Sequence, residues 1–281
     1  MRYAPCQRPA SLLLLAVTLA AMAAAPSICA APQGNAPPAA PPSAVAATTL
    51  AAQPLDAQQI ANRLEEKNRE RAAALRDFEG TRVYEMHYRG FFGSRKAQMV
   101  VAVKATPAGK DFTIESQSGS KFIAEHVFRK LLDGEKEAGT NQGRDRTALN
   151  SSNYNFTLDS VDTSGETPVY VLQVSPKTDE KYLYRGKIWV DGKDFAVTRI
   201  EAEPAKSPSV WVKKTAINHK YEKIDQFWLP EENRTDSMIR FGGHALLSIE
   251  YKDYKITDAS PLQASASPPS AGAVVARIVA P

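Results

Sequence analysis

From Thr81 onward the chain alternates. Tyr84, Met86 and Tyr88 are separated by Glu85, His87 and Arg89, so large apolar side chains recur at every second residue. Only an extended strand puts residues i, i+2 and i+4 on one face. The pattern recurs at Ala97, Met99, Val101 and Val103, and again at Phe112 and Ile114, with short Gly- or Pro-bearing turns between. Strands in succession joined this way predict an antiparallel meander with one apolar face. After a long polar loop over residues 138–153, strands resume at 154–158, 169–174, 181–190, 195–201, 210–221, 227–229, 234–241 and 245–254. The Asp191-Gly192 step between two of them is a strong hairpin signal. A sheet of about ten or eleven antiparallel strands curls or closes.

Two segments abandon the alternation for helical spacing. Asp56 with Gln59 three residues later reads as a capping box, followed by Ile60, Leu64 and Leu75 among Glu, Lys and Arg. Gly80 is the expected C-terminal stop of this helix. The second segment is capped by Ser120. Phe122, Ile123, Val127, Phe128, Leu131 and Leu132 make its apolar side, and Lys121, Glu125, Arg129 and Lys130 its polar side. A closed barrel and a half-barrel both fit so many strands. One helix precedes the sheet and the other is inserted within it, and both need something to cover. This favours a mainly β (α+β) fold: a strongly curved antiparallel half-barrel with helices over its open concave side.

The ends of the chain differ from its middle. Arg2 and Arg8 precede a short apolar run from Leu12 to Ala25, which reads as a signal peptide over residues 1–30 with cleavage after Ala30. Both cysteines, Cys6 and Cys29, lie inside it, so the mature chain is expected to have no disulfide, thiolate metal site or cysteine nucleophile. Cys29 fits lipid attachment poorly, because Ile28 stands where a small residue is needed. Residues 31–54 and 261–281 are rich in Ala, Pro and Ser and are expected to be a disordered linker and tail. That leaves one domain over residues 55–260. The formal charge of +4 comes with Lys and Glu interspersed and no basic stripe, which argues against nucleic-acid binding.

No catalytic constellation stands out. His87, His126, His219 and His244 show no paired metal-ligand spacing. Ser118-Gly119-Ser120 and Ser164-Gly165-Glu166 read as turns or caps, and there is no nucleophile elbow and no Gly-rich phosphate loop. Glu231-Glu232 reads as solvated surface. Nothing calls for a cofactor, and an enzyme is the least supported class.

The order of elements, with the Gly186-x-Ile188-Trp189-Val190-Asp191 hairpin, the return strand Arg199-Ile200-Glu201, Phe227-Trp228-Leu229-Pro230 and the closing Glu250-Tyr251-Lys252-Asp253-Tyr254, resembles the LolA/LolB-like and RseB-like superfamily of periplasmic lipoprotein carriers. The resemblance implies a hydrophobic cavity between curved sheet and lid that shelters acyl chains, and an arginine that clamps the lid when empty. Arg82 and Arg89 are both placed for that role. The expected lining is Tyr84, Met86, Tyr88, Met99, Val101, Phe112, Ile114, Phe122, Phe128 and Trp189. Met suits irregular space and Tyr carries an apolar body with a polar tip. The function implied is a monomeric periplasmic carrier or chaperone that takes lipid or the acyl chains of lipoproteins toward the outer membrane. Its partners would be an inner-membrane transport complex or an outer-membrane acceptor. The alternative is an RseB-like sensor that binds the same ligands and signals to a membrane partner. Fold by itself does not choose between them.

Overall fold

The computed structural model describes residues 55–262 apart from 92, 181 and 208. The expected signal peptide, the whole linker, and the tail beyond residue 262 lie outside the described residues.

The chain forms one antiparallel ten-stranded sheet: β1 (Leu75–Gly90), β2 (Gly93–Thr106), β3 (Gly109–Gly119), β4 (Tyr154–Asp162), β5 (Val169–Pro176), β6 (Tyr184–Asp191), β7 (Ala196–Pro204), β8 (Val212–Ile224), β9 (Phe227–Ile239) and β10 (Gly243–Ala259). Its order is β3-β2-β1-β10-β9-β8-β7-β6-β5-β4, so β1 pairs with β10 and the outermost strands β3 and β4 do not meet. The sheet is therefore open, a curved half-barrel rather than a barrel. Residues 120–150 carry the chain from one outer strand to the other.

Two of the eleven expected strands are one. The sequence suggests a break at Pro230, because proline removes a ladder hydrogen bond from a central strand. The sheet absorbs it with a register shift between Lys220 and Tyr221, which places Tyr221 opposite Pro230. The hydroxyl of Tyr254 donates to the Pro230 carbonyl at 2.8 Å.

Helix α1 (Ala57–Ala74) starts as expected. The Asp56 carboxylate accepts from Gln59 N at 2.8 Å, and Asp56 N donates to the Gln59 side chain at 3.0 Å. Its end differs from expectation. The helix stops at Ala74, and Leu75 already begins β1. Gly80 sits inside the strand, where a Cβ would lie 3.3 Å from both the Lys252 carbonyl oxygen and the Tyr254 ring. The glycine serves a close backbone approach beside a bulge and ends no helix.

The Gly186–Asp191 hairpin is a structural corner. Gly186 has φ +151°, and a Cβ there would lie 2.2 Å from the Glu201 carbonyl oxygen and 2.6 Å from Ala202 Cα. At the turn, Asp191 Oδ1 accepts from Lys193 N and Asp194 N at 3.0 and 2.7 Å. Arg71 of α1 donates to the carbonyls of Asp194 and Phe195, each at 2.8 Å. Trp228 Nε1 donates to Asp194 Oδ2 at 2.8 Å. Burial is the largest influence on Arg71 and lowers its pKa to about 10, against the opposing pull of Asp194. The first helix is thus anchored to the sheet by a buried guanidinium on carbonyls.

The inner face has two covers. Ile60 and Leu64 of α1 are fully buried with Tyr154, Leu172, Tyr184, Ile188, Ile200 and Ile217, over the β4–β8 half. The inserted helices cover the β10-β1-β2 half. A smaller cluster of Ala74, Leu75, Phe227 and Leu229 fills the corner where α1 turns into β1.

Candidate functional site: a latched helical lid over the sheet

The lid is a continuous helical segment over residues 121–138: α2 (Lys121–Ile123), a π-helical turn (Ala124–Phe128) and α3 (Arg129–Ala138), followed by the short α4 (Asn141–Thr147). Ser120 caps it, its hydroxyl accepting from Ile123 N at 3.5 Å. Ile123, Val127, Phe128, Leu131 and Leu132 are buried against Tyr84, Met86, Met99, Val101, Val103, Leu247 and Ile249. The Phe128 and Tyr84 rings sit 5.9 Å apart. Removing that much aliphatic and aromatic surface from water is the main force holding the lid down. A π turn adds a residue to the helical cycle and is often found where a helix serves a site.

A charged group crosses this apolar contact, and at the lid's C-terminal end the Tyr182 hydroxyl donates to Glu137 Oε2 at 2.9 Å. Arg82 of β1 donates Nη2 to Glu135 Oε1 at 3.0 Å, and Nη1 pairs with the other carboxylate oxygen. Lys110 of β3 reaches the same carboxylate at 2.8 Å. The guanidinium also lies 5.0 Å from the Tyr251 ring centroid and 5.5 Å from that of Phe112. Both ends of the Arg82–Glu135 pair are buried. Burial pushes the Glu135 carboxyl up, but Lys110 and Arg82 outweigh it and hold it well below the usual carboxylate range. The same balance keeps Arg82 charged. A carboxylate fixed between two cations is a tether and a poor proton donor. Among the described residues no cluster of His, Cys, Asp or Glu could hold a metal ion.

The choice between the two arginines is resolved by position. Arg82 faces inward and meets the lid, while Arg89 is exposed near the end of β1. Of the expected lining residues, Tyr84, Met86, Met99, Val101 and Phe128 come together under the lid, with Tyr88 and Phe112 at its margin. Three lie elsewhere. Ile114 is exposed on the outermost strand β3, past a register shift between Val100 and Val101 in its pairing. Phe122 precedes the π turn and projects outward, stacked on His126 with ring centroids 4.5 Å apart. Trp189 alternates with the buried Ile188 and Val190, so it takes the outer face, where the Arg199 guanidinium covers it at 4.8 Å.

Sequence reasoning missed Glu135. A signal existed: Phe128, Leu131, Glu135 and Ala138 share one helical face at spacings of three and four, so the carboxylate falls on the apolar stripe. It also missed a polar strip along the middle of the inner face, between the two covers. Thr215, His219, Asn233, Thr235 and Ser237 are all buried there. Thr215 and Ser237 share a hydroxyl hydrogen bond at 3.1 Å, and Asn233 Nδ2 donates to the Tyr251 hydroxyl at 2.7 Å. His219 and Asn233 face each other across β8 and β9. Both ring nitrogens of His219 and Oδ1 of Asn233 have no protein partner. Burial alone lowers the His219 pKa to about 4.

An open, curved antiparallel sheet roofed by a latched helical lid is thus the class of protein that the fold and site define. A family model described as "Uncharacterized protein" matches residues 140–260. No curated protein matches the sequence. Among solved structures, the chain is similar to a LolA superfamily protein from Nitrosomonas europaea, at 13% identity over 74% of this chain and 96% of the other, with a TM-score of 0.33. It is similar to an outer membrane lipoprotein-sorting protein domain from Vibrio parahaemolyticus, described as putative, at 12% identity over 71% and 91%, with a TM-score of 0.35. It is also similar to the MucA/MucB complex of Pseudomonas aeruginosa, at 10% identity over 72% and 99%, with a TM-score of 0.22.

Proposed function

We propose that this chain is a non-enzymatic carrier that shelters lipid, or the acyl chains of lipoproteins, between the residue 121–138 lid and the inner face of β1, β2 and β10, and moves them toward the outer membrane. The cleaved leader expected over residues 1–30 would place it in the periplasm. The observation that carries the reading is the buried Arg82–Glu135–Lys110 tether across a largely apolar contact. A lid meant only to close a core would be better fastened by apolar side chains, because a buried ion pair contributes little net stability. A lid that must lift needs a fastening that can be undone. Each acyl methylene taken out of water contributes roughly 0.8 kcal/mol, so a chain of a dozen or so carbons can offset the packing between lid and sheet that opening disrupts. Met86, Met99 and the lid's Leu131 and Leu132 are apolar surface on which such a chain could lie.

The test is titration with a fluorescent fatty acid. The wild type takes it up, and Glu135→Gln, which loosens the tether, binds about tenfold more tightly because less free energy is spent on opening. A wild type that takes up no fatty acid, with Glu135→Gln equally inert, would sink the carrier reading. Capture of clients then separates transport from sensing: a carrier retains acylated proteins, a sensor one membrane regulator.

A further inference from the structure

Eight large apolar side chains are exposed among the described residues, and they are not scattered. Ile114 and Val161 lie on the outermost strands β3 and β4. Phe91, Val210, Trp211, Met238 and Phe241 gather at one end of the sheet, and Phe122 at the start of the lid borders that end. Phe91 sits in the β1–β2 turn, 86% exposed, and Phe241 in the β9–β10 turn, 82% exposed. The pairing of Arg89 with His244 sets these two turns side by side, and a Cβ on Gly90 would lie 3.1 Å from Gly243 Cα. The segment before β8 joins them: Arg240 N donates to the Trp211 carbonyl at 2.8 Å, and the Trp211 and Phe241 rings are 6.1 Å apart. The lid begins on the same side, where Ser120 N donates to the Lys96 carbonyl at 2.8 Å.

The charges around these side chains have one sign. The first turn and its flanks, residues 87–97, carry Arg89, Arg95 and Lys96. Residues 206–214 carry Lys206, Lys213 and Lys214, and residues 237–244 carry Arg240. These three segments contain no Asp or Glu. All seven cations are exposed, and none makes an ion pair among the described residues. They amount to more than the chain's whole formal excess of +4. Asp236, a carboxylate at the margin, is held by His244 at 2.6 Å.

From this juxtaposition we infer that the turn end of the sheet is a membrane-docking surface, whose occupant is an anionic phospholipid bilayer. Aromatic rings on turns insert at the headgroup level, and unpaired Lys and Arg around them meet lipid phosphates. Single exposed apolar residues are ordinary, but aromatic side chains on adjoining turns, in segments that carry exposed cations, have two features matched to one surface. Asp and Glu, which the bilayer repels, are absent from its three segments. The surface is distinct from the region under the lid, and its role does not depend on what the lid shelters.

Co-sedimentation with vesicles tests this on the leaderless full-length protein. The wild type is expected to bind vesicles of phosphatidylethanolamine with phosphatidylglycerol, to bind phosphatidylcholine vesicles weakly, and to be released by salt. Phe91→Ser/Phe241→Ser and Lys213→Glu/Lys214→Glu are each expected to weaken binding about tenfold or more without shifting Tm, because all four side chains are exposed. Tryptophan emission should move to shorter wavelength on binding, and Trp211→Phe should remove most of that shift. Failure of the wild type to co-sediment overturns the inference, as does an aromatic variant that binds as well as the wild type. A wild-type dimer that Phe91→Ser/Phe241→Ser dissolves would give this face to a second copy instead, and would equally overturn it.

Discussion

At the scale of single residues, His219 is the side chain with most at stake. It is wholly buried with both ring nitrogens unpartnered, and its folded pKa of about 4 lies below the ordinary value of 6.5. The unfolded chain therefore binds the proton first. Its contribution to stability is fully present above pH 6.5 and is lost as pH falls from there toward 4. Between pH 7 and pH 5 the wild type is expected to lose about 2 kcal/mol of unfolding free energy through this group. Urea denaturation of wild type and His219→Gln at the two pH values measures it; equal losses in both proteins would refute the assignment. Glu135 titrates lower and does not compete in this window. Alternation along β8 places His219 on the inner face with Thr215 and Ile217, so its burial was legible in the sequence. That it faces Asn233 was not, because register belongs to the pair of strands.

At the scale of elements, the lid is held chiefly by an apolar face and a buried ionic tether, and the two respond differently to substitution. Arg82→Leu leaves Glu135 buried with only the half-exposed Lys110, and is expected to cost about 3–5 kcal/mol. Arg82→Leu/Glu135→Leu removes both charges and is expected to recover most of that loss, since well-packed apolar replacements of a buried pair are often neutral. Lys110→Ala should cost less than about 1 kcal/mol, because solvent screens its partly exposed ammonium. A double-mutant cycle by urea unfolding checks all three, and additive single losses would mean the pair is not coupled. The lid's existence was legible from the spacing of Val127, Phe128, Leu131 and Leu132. Its fastening was not: Arg82 and Glu135 are 53 residues apart, and only the crossing of α3 over β1 joins them.

At the scale of the whole molecule, the described part holds three buried clusters that reach from Leu55 to Leu262. Its C-terminal end is held where Ser260 N donates to the Ala74 carbonyl and Leu262 N to the Gln226 side chain, both at 2.9 Å. Truncation tolerance follows from burial and hydrogen bonding of the backbone at the cut. A chain of residues 55–262 is therefore expected to fold alone with a Tm within about 3 °C of the leaderless full-length protein. A larger drop in calorimetry would give the Ala/Pro-rich segments a structural part.

The sequence by itself determined the local choices: the alternation that makes strands, the Asp56–Gln59 box that starts α1 and the Asp191-Gly192 turn. Each is decided by neighbours a few residues away, where sterics and local hydrogen bonds act. Only the tertiary structure decided that β1 lies beside β10, that Arg82 meets Glu135, and that Phe91, Trp211 and Phe241 share one end of the sheet. Those pairings depend on strand order and register, which are set by packing among segments distant along the chain.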